Sequence, residues 1–261
     1  MGAHTDDDPT APVTYALGDI HGEAVLLRAL LAQLPLRPKD TLVFLGDAIN
    51  RGPDSLGVAR HILALRAERP SAVVTLMGNH EESWLEVWDG ERFVGRPGMP
   101  GDEALARQLR TPADHADLYR YLQMTQLTFE DSHAYYAHAG ATPAPGRPFD
   151  QTAPQDLLWG PAGFLVRPWR PRDWGAEEKP IVFGHYEIEL AQTYGELGIV
   201  DAAGLGRYLS GRAQPGDHWA GAPAPNKLGI DTWAWRRGTL TALRLPDRAL
   251  WQTSARDRDA S

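Results

Sequence analysis

Residues 13–22 read VTYALGDIHG, a short apolar run that stops at a glycine and an aspartate. The run contains β-branched and aromatic residues, which is typical of a buried β-strand. Residues 24–34 follow with leucines at helical spacing and stop before Pro35. The start of the chain therefore predicts a strand, a glycine-containing loop and a helix.

The same order recurs twice further along the chain. Apolar runs at 41–45 and 71–77 end in Gly46-Asp47 and Gly78-Asn79, and helical patterns follow at 53–69 and 81–88. Repeated strand–loop–helix units indicate βαβ connections and a largely parallel sheet. The other predicted elements are a helix at 111–124, a hairpin at 127–130 and 134–137, a strand at 181–183, and closing antiparallel strands at 228–231, 240–245 and 250–251.

Composition excludes several classes of protein. The chain has 261 residues, 26 lysines and arginines against 34 acidic residues, a net charge of −8 and no cysteine. The lack of cysteine removes disulfides, thiolate metal sites and cysteine nucleophiles. The acidic balance disfavours general nucleic-acid binding, which depends on neutralising phosphates. No apolar run approaches the roughly 20 residues that a membrane span needs.

Local composition also indicates how the chain is divided. Residues 1–11 and 252–261 predict disordered tails on either side of a single domain at 12–251. The amino-terminal residues contain neither a basic region nor an apolar core, so we expect no signal peptide and a cytoplasmic protein. The sequence assigns no role to the stretches 141–180 and 188–226.

Polar residues of particular types stand at or near the ends of the apolar runs. They are Asp19, His21, Asp47, Asn79, His80, His138 and His185. Since ligands bind at the carboxyl ends of the strands of an open α/β sheet, we expect these side chains at one edge. Carboxylate, amide oxygen and imidazole without sulfur suit Mn²⁺, Fe or Zn²⁺. A lone aspartate after a strand is more often a helix cap, but the joint pattern predicts a metal site.

Five short motifs occur along the chain, and their occurrence in this order is a more specific signal of a protein family than any single motif. They are Gly18-Asp19-Ile20-His21-Gly22, Gly46-Asp47 followed by Arg51-Gly52, Gly78-Asn79-His80-Glu81, His138-Ala139-Gly140 and Gly184-His185. In these motifs the chain resembles the calcineurin-like metallophosphoesterases of the phosphoprotein phosphatase branch, over about residues 13–251. That branch includes serine/threonine protein phosphatases and symmetrical diadenosine tetraphosphate hydrolases. The resemblance implies an α/β fold, a four-layer α/β/β/α sandwich with two mixed sheets and a dinuclear metal site at the carboxyl ends of the strands.

The resemblance also implies which residues bind the metals. One ion would bind Asp19, His21 and Asp47, and the second would bind Asp47, Asn79, His138 and His185. Two divalent ions about 3.5–4 Å apart would share a bridging hydroxide that attacks phosphorus directly. Family members most often use Mn²⁺, and the ligand types leave Fe and Zn²⁺ open.

Catalytic roles follow from the same resemblance. It implies that His80 protonates the leaving oxygen and that Arg51 binds phosphate oxygens, for which a guanidinium is suited. Glu81 is expected to support the site, with a simple place in the first turn of a helix as the alternative. Some bacterial relatives carry a second phosphate-binding arginine that this chain lacks at the matching position, and the expected substitutes are Arg167, Arg170 and Arg172.

Two residues depart from the family pattern. Protein phosphatases usually carry an aspartate in place of Asn50, and that aspartate orients the catalytic imidazole. Asn50 can accept a hydrogen bond but cannot stabilise an imidazolium by charge, so we expect weaker protonation of the leaving group. The diadenosine tetraphosphate hydrolases also tend to lack this aspartate, whereas they favour aspartate where this chain has Glu81. Trp233 stands where relatives have glycine, and we expect it to pack in the core or to line the site.

The sequence leaves three functions open. The first choice is a dinuclear-metal phosphatase that hydrolyses phosphomonoesters, of the phosphoserine and phosphothreonine type or small esters. The alternative is symmetrical hydrolysis of dinucleoside tetraphosphates, in which the leaving phosphate needs less protonation. The third is an inactive phosphate-binding scaffold, which the complete set of expected metal ligands disfavours. Neither nucleic acid nor a membrane is an expected partner.

Overall fold

The computed structural model describes residues 11–165, 167, 169–186 and 226–258. The strands are β1 (Thr14–Leu17), β2 (Thr41–Phe44), β3 (Val73–Thr75), β4 (Thr128–Glu130), β5 (Tyr135–Ala137), β6 (Ile181–Phe183), β7 (Lys227–Gly229), β8 (Thr241–Leu245) and β9 (Leu250–Gln252). The helices are α1 (Ala24–Gln33), α2 (Ser55–Glu68), α3 (Asn79–Leu85), α4 (Asp102–Ala106), α5 (Pro112–Gln123), α6 (Pro154–Trp159) and α7 (Ala234–Arg237). None of these helices has the length and apolar character needed to cross a membrane.

The strands form two mixed sheets. The first has the order β3-β2-β1-β8-β9, in which β1, β2 and β3 are parallel while β8 and β9 are antiparallel. The second has the order β4-β5-β6-β7, in which β4 is antiparallel to β5 while β5, β6 and β7 are parallel. The strand predicted at 228–231 is present as β7, but its predicted antiparallel direction is wrong. A long connection precedes β7, and such crossovers allow a parallel pairing that local pattern does not encode.

Alternation along the strands divides the interior into three cores. In β2, Leu42 and Phe44 pack with the helices, whereas Val43 packs between the two sheets. In β6, Val182 belongs to the core between the sheets, whereas Phe183 packs with the outer layer that includes α6. Because successive side chains of a strand point to opposite faces, each sheet is apolar on both sides. The predicted α/β sandwich with two mixed sheets is confirmed.

The predicted carboxy-terminal tail is partly ordered. A 3₁₀ turn covers Ala255–Arg258. The Arg258 guanidinium donates to the carboxylate of Glu23 and to the carbonyl oxygens of Ala234 and Trp235. These long-range contacts order residues that composition marks as a tail. The other predicted tail and most of the stretch 188–226 lie outside the described residues, which omit 1–10, 187–225 and 259–261.

Candidate metal centre

The fold brings the six predicted metal ligands to the carboxyl ends of strands in both sheets. Asp19 and His21 follow β1, Asp47 follows β2, Asn79 comes after β3, His138 follows β5 and His185 follows β6. Five of these side chains are buried, and His185 is half-buried. The ligand atoms of Asp47, His138 and His185 all lie within 4.8 Å of one another, and so do those of His21, Asp47 and His80.

The Nε2 atom of His138 is a hydrogen-bond acceptor that faces other acceptor atoms. Its Nδ1 lies 2.9 Å from the carbonyl oxygen of Leu45, which can only accept, so Nδ1 carries the proton. Burial lowers the pKa of His138 to about 4, so the ring is neutral and Nε2 is an acceptor. This Nε2 lies 3.1 Å from Asn79 Oδ1 and 3.6 Å from Asp47 Oδ1. Acceptor atoms in this arrangement repel one another unless a cation lies among them.

His21 has the same arrangement on the other side of Asp47. Its Nδ1 lies 3.1 Å from the carbonyl oxygen of Ile49, which leaves Nε2 as the acceptor, 3.7 Å from Asp47 Oδ2. Burial lowers the pKa of His21 well below its ordinary value, so this ring is also neutral. Asp47 therefore turns one oxygen toward His138 and the other toward His21, as a carboxylate that bridges two cations would.

His185 and Asp19 complete the two groups. His185 Nδ1 lies 3.2 Å from both Asn79 Oδ1 and His138 Nε2, and its backbone N–H donates to the Asp19 carboxylate. Burial raises the pKa of Asp19, and the carboxylates of Asp231 and Asp47 raise it further. Divalent cations at this position would offset the repulsion between buried carboxylates. The residues present thus fit a dinuclear site for Mn²⁺, Fe or Zn²⁺.

Glu81 holds the loop that carries Asp47. Its carboxylate accepts hydrogen bonds from the backbone N–H groups of Asp47 (2.7 Å), Ala48 (2.9 Å) and Gly78 (3.0 Å). The hydroxyl of Tyr121 in α5 donates to the same carboxylate at 3.2 Å. Burial raises the pKa of Glu81 to about 7, with Asp47 adding to the rise. Glu81 lies in the first turn of α3 and also supports the Asp47 loop. Both roles that the sequence offered as alternatives are therefore found together.

Several site residues adopt left-handed backbone conformations. Positive φ angles between 47° and 67° occur at His21, Asp47, Asn50, Arg51 and His185. A non-glycine residue in this region costs about 1–3 kcal/mol and persists only where the surroundings impose it. Hydrogen bonds between the loops impose it here, for example those from the backbone N–H groups of His21 and Ile20 to the carbonyl oxygen of Asp47. The local sequence therefore does not predict these backbone conformations.

Asn50 is fixed between Trp84 and His80. The indole Nε1 of Trp84, which can only donate, donates to Asn50 Oδ1 at 2.8 Å. The amide Nδ2 must then face His80 Nδ1, at 2.8 Å. Asn50 thus donates to the imidazole, whereas the sequence predicts an acceptor. No motif singles out Trp84, and its place in the core beside Asn50 emerges only from the fold.

His80 consequently presents Nε2–H to the site. Its Nδ1 accepts from Asn50, and its Nε2 lies 4.0 Å from Asp47 Oδ2. Burial lowers the pKa of His80 to about 3, and the charge of Arg51 contributes to the decrease. The neutral imidazole is therefore a hydrogen-bond donor beside the Asp47 carboxylate.

The site opens into a cleft of about 520 Å³. Its walls include Arg51, His80 and four of the expected ligands, together with Met99, Trp159 and Tyr186. Trp159 is 41% exposed. The cleft has the size of a small-molecule site, and many of the residues that line it are polar.

The arginines predicted to replace the missing phosphate ligand lie elsewhere. Arg167 borders a separate cavity with Trp169 and Trp174, and the exposed Arg170 precedes the 3₁₀ turn at 171–174. Neither is among the described residues that line the cleft. The cause is a buried lysine, because Nζ of Lys227 binds the carbonyl oxygens of Phe164, Leu165 and Arg167 and folds this loop onto the second sheet.

Sequence comparison identifies similar proteins. A family model for calcineurin-like phosphoesterases matches residues 13–203. The symmetrical bis(5′-nucleosyl)-tetraphosphatase of Pectobacterium atrosepticum is 39% identical over 133 residues, 50% of this chain and 44% of that protein. The protein of the same name from Dechloromonas aromatica is 28% identical over 279 residues, 95% of this chain and 98% of that protein. The chain spans about half the length of the curated relatives that, like the Pectobacterium protein, match over about 133 residues.

Solved structures share the fold. That of a proposed diadenosine tetraphosphatase aligns with a TM-score of 0.57 at 20% identity, covering 94% of both chains. A cold-active protein-tyrosine phosphatase of a psychrophilic Shewanella aligns with a TM-score of 0.52 at 15% identity, covering 93% of this chain and 80% of the other. The family model spans all five strands that carry the ligands, and the motif resemblance is confirmed at this level. The chain belongs to the calcineurin-like phosphoesterase family.

Proposed function

We propose that this protein is a metal-dependent hydrolase that cleaves dinucleoside tetraphosphates symmetrically. The observation that carries the hydrolytic part is the convergence of the His21 and His138 lone pairs on opposite oxygens of Asp47, beside Arg51 and His80 in one cleft. The substrate class is supported by the names of the similar tetraphosphatases, one of which aligns over nearly the whole chain. The comparisons favour this alternative over the phosphomonoesterase that the sequence places first.

The residues of the site have separate roles in the proposed reaction. Two divalent cations, for which we propose Mn²⁺, would supply a water molecule of lowered pKa and neutralise phosphate charge. Arg51 lines the cleft and binds substrate phosphate oxygens through its guanidinium. His80 donates a hydrogen bond from Nε2–H to the leaving oxygen, while Asn50 donates to the other ring nitrogen. No serine or cysteine nucleophile is required.

Asn50 bears on the class of leaving group. Because its amide donates to His80, the imidazole offers a hydrogen bond but has no anionic partner that would stabilise a positive ring. A leaving nucleoside diphosphate is a much weaker base than the alkoxide of serine or threonine, so it needs less proton transfer. This arrangement supports a phosphoanhydride substrate. The phosphomonoesterase remains the second candidate on the strength of Glu81, which completes the Gly-Asn-His-Glu motif of the protein phosphatases.

An exposed aromatic ring at the cleft supports a nucleotide substrate. Trp159 lines the cleft at the end of α6, and its indole donates to the Glu82 carboxylate at 3.2 Å. A partly exposed indole face held in this way is suited to stacking on a nucleobase. In contrast, Trp169 and Trp174 pack against each other in the core of the second sheet, with ring centroids 4.9 Å apart.

A paired assay tests the proposed function. The Mn²⁺-loaded protein is compared on diadenosine tetraphosphate and on a phosphothreonine peptide by kcat/KM, with nucleotide products separated by chromatography. We expect a strong preference for the dinucleotide and ADP as the sole nucleotide product, as symmetrical cleavage requires. A preference for the peptide would restore the phosphomonoesterase, and activity on neither with metal bound would overturn the proposed substrate class.

Replacing Asn50 by aspartate should change how turnover depends on the leaving group. In Asn50→Asp, one carboxylate oxygen can still accept from Trp84 while the other accepts from His80 and stabilises a positive imidazolium. We expect kcat on phenyl phosphate to rise by about tenfold, and kcat on 4-nitrophenyl phosphate to change much less because nitrophenolate needs little protonation. Asn50→Ala, which adds no charge, serves as the control. Equal changes on both esters would contradict the role of Asn50.

A further inference from the structure

The backbone of Arg51 is fixed by a neighbouring loop. Its φ is 66°, and its N–H donates to the carbonyl oxygen of Gly101 at 3.3 Å. Gly101 lies so close that a Cβ atom there would come within 2.3 Å of the Arg51 Cα. The side chain beyond this anchor has several rotatable bonds, so a fixed backbone by itself leaves the guanidinium free to adopt many rotamers. A contact on the guanidinium would restrict that freedom.

Trp235 contacts the guanidinium. The guanidinium carbon of Arg51 lies 5.3 Å from the centroid of the Trp235 ring, within cation–π range. Arg51 lines the cleft, whereas Trp235 is not among the described residues of its walls. The indole nitrogen of Trp235 is buried and has no hydrogen-bond partner in the part of the chain that the structure describes. The face of the ring therefore makes the contact with Arg51, which connects Trp235 to the cleft.

The ordered end of the chain holds Trp235 in turn. Arg258 donates to the carbonyl oxygens of Ala234 and Trp235 and to the carboxylate of Glu23, next to the loop that carries His21. On the other side, the backbone N–H of Trp233 donates to Asp231 Oδ1 at 2.9 Å. The side chain of Trp233 is 3% exposed and packs in the core, so it is its neighbour Trp235 that reaches the site residues.

We infer that Trp235 is a positioning residue, which holds the Arg51 guanidinium ready for a substrate phosphate. This inference rests on the proposed role of Arg51 as the phosphate-binding residue. The indole face excludes rotamers that turn the guanidinium away from the cleft, and it needs no hydrogen bond to do so. Loss of the ring should weaken phosphate binding more than it slows turnover, because Trp235 touches neither the metal ligands nor His80 in the described contacts.

The test uses inorganic phosphate as a competitive inhibitor of the full-length, Mn²⁺-loaded protein. In Trp235→Leu we expect the inhibition constant of phosphate to rise about three- to tenfold, the range of a partly buried cation–π contact. The KM should rise with it, while kcat changes less than twofold and the bound Mn²⁺ stays the same. Trp235→Phe should restore most of the binding, since it keeps an aromatic face. Trp174→Leu removes a tryptophan from the second sheet and should leave the inhibition constant unchanged.

A double-mutant cycle with Arg51→Ala separates this inference from the function on which it rests. In the Arg51→Ala background, Trp235→Leu should cause no further loss of phosphate binding, because the partner of the ring is gone. Multiplying effects, or an unchanged inhibition constant in Trp235→Leu, would overturn the positioning role and leave Arg51 in place. An unchanged inhibition constant in Arg51→Ala would overturn the proposed role of Arg51 itself. Melting temperatures identify any variant that fails to fold, in which case Trp235→Met, which keeps an apolar side chain without a ring, replaces Trp235→Leu in the test.

Discussion

Replacing Asp47 by asparagine should lower kcat by about a thousandfold or more, since even residues that merely orient a metal ligand typically contribute 10–100-fold. Asp47 turns Oδ1 toward His138 and Oδ2 toward His21, at 3.6 Å and 3.7 Å. An asparagine keeps the shape but replaces one of the two anionic oxygens by an NH₂ group. One of the two cations would lose its shared ligand, and the other would keep a neutral one.

Metal analysis after dialysis against Mn²⁺ measures the effect directly. We expect two ions per chain in the parent protein and one or none in Asp47→Asn. Asp54→Asn is the matched control, because Asp54 caps α2 by accepting from the backbone N–H of Gly57 and asparagine is an equally good cap. Two bound ions and an unchanged kcat in Asp47→Asn would refute the bridging role.

Replacing His80 by asparagine should lower kcat by about 10²–10³, the usual contribution of a hydrogen-bond donor to the charge that develops on a reacting oxygen. His80 presents its Nε2 to the site because Asn50 engages Nδ1. The loss should be larger on phenyl phosphate than on diadenosine tetraphosphate, whose leaving phosphate is the weaker base. A leaving-group dependence of this kind distinguishes a hydrogen bond to the leaving oxygen from a purely structural role.

The metal content of the same variant distinguishes two roles for His80. Its ligand atom lies within 4.8 Å of those of His21 and Asp47, so geometry by itself also allows a metal ligand. We expect His80→Asn to retain both ions, as a donor to the leaving group requires. His61→Asn on α2, half-buried and outside the cleft, controls for the substitution itself. Loss of an ion from His80→Asn would assign His80 to the metal centre instead.

The fold was predictable where local pattern and tertiary structure agree. The apolar runs at 13–17, 41–45 and 181–183 are strands because their side chains are buried on both faces, and this gives a continuous apolar signal. Pattern predicted the β7 strand but gave it the wrong direction, since a strand's partner and direction depend on the path of the preceding connection. It also failed at the carboxyl end, where Arg258 forms contacts with residues far away in sequence.

Residue types and their order were sufficient to name the candidate ligands and to indicate metal chemistry. Asp19, Asp47, Asn79, His138 and His185 each stand where a strand ends, and the carboxyl end of a strand is a local property that a short motif records. The chemical type of each ligand is likewise a property of the residue alone. The class of site therefore follows without any knowledge of how the sheets pack.

Packing between distant segments determined which way the polar groups around those ligands face. The direction of the Asn50 amide depends on Trp84, 34 positions away, because only a donor on one side forces the NH₂ group toward His80. The guanidinium of Arg51 depends on Trp235, and Arg167 lies away from the cleft because Lys227 holds its loop. Each of these hydrogen bonds and ring contacts joins two groups that are far apart in sequence. Such groups come into contact only when the two sheets and their loops have folded together.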